Sequence, residues 1–199
     1  ASATARIIRC RDGERLDALK ARGLAVLCTR EPGGAPGAEY LRDLLLGGTI
    51  AWSAMAETLL HFAARAEHVE RAIRPSLDAG TWVVCDRFFD STMAYQGFGL
   101  GADRSRIAVL AGWLDVVPDL TLMLDAEPTV ARQRMSSRPG AADRYERLDH
   151  AFHARVRAGF LSITAENPGR CIMVDANASV DIVHAAIRHA VETHFSMAA

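Results

Sequence analysis

Thr81-Trp82-Val83-Val84-Cys85-Asp86-Arg87 is a continuous apolar run that ends abruptly in charge, with Gly80 just before it as a helix stop. Such a run reads as a strand buried on both faces, the form strands take in parallel sheets. Runs at 24–28, 120–124 and 171–174 repeat the pattern, and Ile7-Ile8 is a weaker fifth. Between them, helical spacing covers 38–46, 55–79, 104–113, 129–134, 148–165 and 180–193. Pro75 is expected to kink or end the second of these. The stretch 135–146, with Pro139 and Gly140, reads as a mobile polar loop. Strands alternating with amphipathic helices define an α/β chain with a parallel sheet. No repeat, low-complexity tract or linker divides the 199 residues, so one domain is expected.

Half of the residues are apolar and the net charge is −1, with a pI near 6.7. No overall field draws such a chain to a nucleic-acid polymer or to a membrane, so any bound anion must be held by local arginines. Cys10, Cys28, Cys85 and Cys171 form no C-x-x-C pair and read as buried, reduced thiols. No apolar run approaches the roughly 20 residues of a membrane span. Ala1-Ser2-Ala3-Thr4-Ala5 lacks the features of a secretory signal. The expected location is the cytoplasm.

Ligands of open α/β sheets gather at the carboxyl ends of the strands. An aspartate at Asp86 can hold the water shell of Mg²⁺, and Arg87 can fork onto phosphate oxygens; a surface salt bridge explains the pair equally well. Strand 24–28 leads into Thr29-Arg30-Glu31-Pro32-Gly33-Gly34, a tight open turn where backbone can approach a ligand. Arg42 follows early in a helix. Leu60-His61-Phe62-Ala63-Ala64-Arg65 offers aromatic faces and an arginine beside small alanines, although aromatics at helical spacing are usually core. In Asp90-Ser91-Thr92-Met93-Ala94-Tyr95-Gln96-Gly97, Thr92 and Gln96 share a face if the segment is helical, and could read a pyrimidine edge. His150 with His153, and His184 with His189, lack further ligands and read as solvated helix faces rather than a metal site.

TREPGG, an arginine twelve residues after its first, FAAR-x-EHV, DRF-x-DST-x-AYQG, LDAEP and ADRYE occur in this order from about residue 23 to 187. The series resembles bacterial thymidylate kinases. The resemblance implies a three-layer P-loop kinase-like fold with a five-stranded parallel sheet and a flexible lid at about 135–146. It implies transfer of the γ-phosphoryl group of ATP to thymidine monophosphate, with Mg²⁺, in a homodimer. By the same resemblance Arg65 would donate to the thymine ring, with Thr92 and Gln96 reading its other polar atoms. Arg42 and Arg87 would clamp the acceptor phosphate, and Arg30 and Glu31 would shape its site. Asp86 would sit near the metal, and Ser91 and Tyr95 would line the sugar and base pocket. The family's stacking phenylalanine falls at His61, with Phe62 the stronger ring if the helix is slightly rotated. A lid arginine would stabilise the transferring group: Arg138 first, Arg144 second, with Arg134 just before the lid also toward ATP.

The phosphate loop G-x-x-x-x-G-K-[ST] expected after the first strand has no match. Arg9-Cys10-Arg11-Asp12-Gly13-Glu14-Arg15 stands there instead, with about ten residues fewer than the family places before Leu24. A missing or altered N-terminal stretch is the first expectation. The alternatives are a nucleotide-binding chain of this fold without transfer activity, or a new arrangement built on Arg9, Arg11 and Arg15. A kinase for another pyrimidine monophosphate is the remaining reading.

Overall fold

The computed structural model describes residues 7–9, 22–47, 50–136 and 143–197. The phosphate-loop region, with Cys10, Arg11 and Arg15, and the lid candidate Arg138 lie outside the described residues.

Five strands form one parallel sheet among the described residues: β1 (Ile7–Arg9), β2 (Val26–Arg30), β3 (Trp82–Asp86), β4 (Leu120–Asp125) and β5 (Cys171–Asp175), in the order β2-β3-β1-β4-β5. The weak fifth run is therefore the central strand. Ile7 registers with Val83 and Ile8 with both Val84 and Leu120. The chain leaves β1 toward one side, for β2, and leaves β3 toward the other, for β4. That reversal opens a crevice at the carboxyl ends of β1 and β3, where ligands of such sheets bind.

Alternation along β3 shows why its apolar run is unbroken. Trp82 and Val84 pack with Leu120, Leu122, Val174 and, from α8 (Val180–His194), Val183, Ile187 and Val191. Val83 and Cys85 face the opposite way, against Val69, Ile73 and Phe88. With helices over both faces, the layers number three. β2 is an edge strand, and Cys28 on it is exposed, which corrects its expected burial; Cys85 and Cys171 are buried.

The remaining helices are α1 (Pro36–Gly47), α2 (Ala54–His68), α3 (Arg74–Asp78), α4 (Phe89–Thr92), α5 (Arg104–Trp113), α6 (Pro128–Ser136) and α7 (His150–Glu166). Ser53, Asp103 and Asp149 start α2, α5 and α7 by accepting from the backbone N–H of Ala56, Ser105 and Phe152. The expected long helix 55–79 is divided by a π-helical turn, Val69–Ile73, just before Pro75. Proline has no N–H to donate, and the wider i→i+5 turn absorbs the missing bond. Gly80, at φ 75°, closes the element as expected. A second π-helical stretch, Met93–Gly99, follows α4, so Thr92 and Gln96 are not spaced on an α-helical face. Both side chains nonetheless meet α2. The lid stretch is also corrected at its end: Tyr145 is buried, because its ring packs against Tyr95 and the cluster around Phe152 and Val156. His150 and His189 are exposed, and His153 and His184 half-buried.

Candidate functional site

α2 carries the site. Glu57, His61, Arg65 and His68, at spacings of four, four and three, fall within a roughly 80° sector of the helix, and all four are buried. Ala64 lies elsewhere on the surface, packed against Ala35 and Ala38, so α1 approaches closely. Phe62 points into an apolar cluster with Ala102 and Ile107, and the Arg65 guanidinium lies 4.7 Å over its ring. Phe62, named as the stronger ring if the helix is slightly rotated, faces this cluster rather than the polar face of α2. His61 stays on the polar face, its Nε2 3.0 Å from the Tyr145 hydroxyl. Burial, and then the charges of Arg65, Arg87 and Arg144, hold its pKa down at about 3, so the ring is neutral at physiological pH.

Arg65 is anchored on two sides. Its Nε donates to Glu31 Oε2 at 2.6 Å and its Nη2 to Thr92 Oγ1 at 3.1 Å. Its Nη1 is buried with no hydrogen-bond partner among the described residues. A buried guanidinium N–H left unmatched is costly unless a ligand meets it. Glu31 also accepts from His68 Nδ1 at 3.1 Å, and His68 Nε2 meets the Thr29 hydroxyl at 2.7 Å. Glu31, His68 and Cys85 thus come close enough to suggest a metal set. Their atoms are engaged otherwise: Glu31 by two cationic or N–H donors, both His68 nitrogens, and Cys85 Sγ on the Arg87 carbonyl at 3.0 Å. The cluster is a hydrogen-bonded brace for Arg65.

The turn after β2 explains its glycines. Glu31-Pro32 is cis, Gly33 and Gly34 lie at φ 134° and 83°, and a Cβ on Gly34 would strike the His68 ring and the Thr29 hydroxyl. Gly34 N–H donates to Glu39 Oε1 at 2.9 Å, and Arg30 donates to Glu39 Oε2 at 3.1 Å. Arg42 donates to the Pro32 carbonyl at 2.7 Å. Burial, then the charge of Arg30 and, less, that of Arg87 push the Arg42 pKa down, so three cations face one region. Arg87 occupies a left-handed conformation at φ 70°, an uncommon state for a side-chain-bearing residue and frequent at functional sites. Its guanidinium lies 5.0 Å over the Tyr95 ring, and attraction to Tyr95 raises its pKa against the effect of burial. Asp86, half-buried at the end of β3, stands beside this arginine group.

A second brace lies about two turns earlier on the same face of α2. Glu57 Oε1 accepts from Gln96 Nε2 at 2.9 Å and from the Tyr145 hydroxyl at 2.8 Å. Gln96 Nε2 also reaches the Tyr145 oxygen at 3.0 Å. Arg144 Nη1 lies 2.6 Å from Glu57 Oε2, a charge contact made off the N–H axis. Burial, then Glu57, push the Tyr145 pKa up. Ser91 is buried beside Thr92, and the segment is tied down by Asp90, which Arg170 grips through two hydrogen bonds of 2.8 and 2.9 Å.

The structure brings together Arg30, Glu31, Arg42, His61, Arg65, Arg87, Thr92, Tyr95 and Gln96 through these contacts. Arg134 lies apart from them, donating to the Ala176 and Ala178 carbonyls at 2.6 and 2.8 Å and so bracing the loop after β5. Glu57, His68, Tyr145 and the Asp90–Arg170 pair escaped the sequence reading. The polar stripe on α2 was the signal for the first two.

A sequence model of the family described as thymidylate kinase matches residues 15–187. A thymidylate kinase of Caulobacter vibrioides is 52% identical over 174 residues, 86% of this chain and 83% of that protein. One of Gluconobacter oxydans is 49% identical over 179 residues, 88% of this chain and 84% of that protein. The crystal structure of thymidylate kinase from Ehrlichia chaffeensis superposes with a TM-score of 0.74 at 31% identity, covering 95% of this chain and 98% of that one.

Proposed function

The chain belongs to the thymidylate kinase family, and from that premise we propose that it transfers the γ-phosphoryl group of ATP to thymidine monophosphate. The observation that carries the reading is the unmatched Arg65 Nη1, buried and aimed by Glu31 and Thr92, beside the three-arginine region at the strand ends. A pyrimidine carbonyl satisfies that N–H, and a phosphate dianion satisfies Arg30, Arg42 and Arg87.

The acceptor oxygen is already anionic, so no general base is needed. It attacks the γ-phosphorus as the bond to the β–γ bridging oxygen breaks, and ADP leaves. The chain's task is alignment and charge neutralisation. Arg42 and Arg87 hold the acceptor phosphate, Tyr95 supports Arg87, and His61 and Tyr145 border the base. Asp86 offers only oxygen donors, which suits a hard divalent cation bound through water. Magnesium, bound with the nucleotide, supplies charge neutralisation on the donor phosphates. Arg138 remains the first choice for the arginine on the transferring group, ahead of Arg144, which Glu57 already engages.

A second copy of the chain has a surface to meet. Leu59 and Val109 border one shallow apolar hollow, and Trp113, one helical turn beyond Val109, is 83% exposed. Sedimentation of wild-type and Trp113→Glu proteins tests that dimer. No helix among the described residues is long and apolar enough to cross a membrane.

A coupled ADP-release assay with thymidine, uridine and cytidine monophosphates tests the reaction. Turnover with thymidine monophosphate supports it, and turnover with another acceptor alone replaces it with a different pyrimidine kinase. Calorimetric binding without turnover replaces it with a nucleotide-binding role.

A further inference from the structure

Glu57 is wholly buried, and among the described residues the groups that meet its carboxylate can all donate: the Tyr145 hydroxyl and the Gln96 amide on Oε1, the Arg144 guanidinium on Oε2. With the Arg144 cation 2.6 Å from Oε2, Glu57 is paired as a carboxylate and acts as a fixed, acceptor-only anchor. Proton positions around it follow by elimination. Tyr145 has one hydroxyl hydrogen, and it goes to Glu57. The Tyr145 oxygen must then accept from its other two neighbours, Gln96 Nε2 and His61 Nε2, each 3.0 Å away. His61, neutral, therefore carries its hydrogen on Nε2. Gln96 has two amide hydrogens, and both are engaged, one on Glu57 and one on Tyr145. The polar atom this leaves on Gln96 for a ligand is its carbonyl oxygen, an acceptor.

We propose that Glu57 is a positioning residue for base selectivity: it holds the Gln96 amide so that only an acceptor faces the nucleobase. An imide pyrimidine such as thymine or uracil presents a ring N–H to that oxygen. Cytosine presents a bare ring nitrogen at the same place, and two acceptors would oppose each other without a hydrogen between them. A buried mismatch of this kind discriminates far more strongly than a difference in shape. The orientation is set by the chemistry of Glu57, since turning the amide over would put its oxygen against a carboxylate. The inference rests on the reading of this cavity as a pyrimidine nucleotide site.

Glu57→Gln is nearly isosteric but can donate as well as accept, so Gln96 becomes able to turn over. Titration calorimetry of thymidine monophosphate and deoxycytidine monophosphate against wild-type and Glu57→Gln protein tests this. The preference for thymidine monophosphate, as the ratio of the two dissociation constants, should fall at least about tenfold in the variant. Equal weakening of both ligands, with the ratio preserved, would assign Glu57 a merely structural role and overturn the inference. Wild-type protein that binds neither nucleotide overturns the pocket reading, and this inference with it. If Glu57→Gln does not fold, as judged by circular dichroism, Tyr145→Phe replaces it. That variant releases one Gln96 hydrogen and should lower the same ratio at least about threefold; an unchanged ratio overturns the proposal.

Discussion

Glu31→Gln removes one charge from the brace that aims Arg65 and leaves its shape intact. Both partners are nearly inaccessible, at 3% side-chain exposure each, and the Nε–Oε2 contact is 2.6 Å. Deleting one partner of such a pair costs ~3–5 kcal/mol, because the other charge stays buried without compensation. The glutamine carbonyl can still accept from Arg65, which returns ~1 kcal/mol. The His68 side adjusts cheaply: its ring can accept from the new amide and donate to Thr29. The net loss should be ~3 kcal/mol, a fall in Tm of ~6–12 °C for a chain of this length. Urea unfolding without nucleotide, followed by tryptophan fluorescence, measures it directly. Arg65→Met in the Glu31→Gln background should lose at least ~1 kcal/mol less than the sum of the single losses, since no orphaned charge then remains. A single-variant loss below ~0.5 kcal/mol, with strictly additive double-variant data, would refute the claim that Arg65 depends on Glu31 for burial.

Buried His61, held down at about 3 by burial and by Arg65, Arg87 and Arg144, ordinarily titrates near 6.5. The unfolded chain takes up that proton first, so this contribution to stability is intact above about pH 6.5 and is lost as pH falls toward 3. The slope it adds is at most ~1.4 kcal/mol per pH unit, and His61→Asn should remove that slope from urea stabilities measured between pH 7 and 4. Gly34→Ala combines a left-handed backbone with a clash against His68 and Thr29, and should cost at least ~2 kcal/mol. Gly80→Ala shares the backbone strain but meets open space, so ~1 kcal/mol is expected; equal losses in the two unfolding curves would discount the clash. Arg138→Ala should lower kcat at least about 10²-fold with KM for both nucleotides nearly unchanged. A kcat within a factor of a few of wild type would move the catalytic role to another arginine.

Sequence patterning carried most of the architecture. The apolar runs located all five strands to within two residues, because strands such as β3, covered on both faces, are apolar until they close on a charged residue; β2, on the edge with Cys28 exposed, was read two residues early. Helix α5 was read to its ends, although the Asp103 cap that starts it was not. The ordered motifs also brought the site arginines into view: Arg30 ends β2, Arg87 follows β3, and Arg42 and Arg65 lie on α1 and α2 between those strands. The π-helical turns were illegible, because the i→i+5 choice depends on packing around Pro75 and Gly97 rather than on composition. So was the fate of Phe62, which takes the core only because α5 supplies Ile107.

Partner choice was the part that only the tertiary structure decided. Tyr145 lies 88 residues from Glu57 along the chain, Arg65 lies 34 from Glu31, and Arg170 lies 80 from Asp90. No local period relates such residues: Arg170 precedes β5 while Asp90 follows β3, and Glu57 and Arg65 lie on α2, so each pair meets only once the helices and connections pack over the sheet. Secondary structure arises from neighbours a few residues apart and can be read in the letters. The direction in which a buried amide or guanidinium points arises from donors and acceptors that only the closed fold assembles.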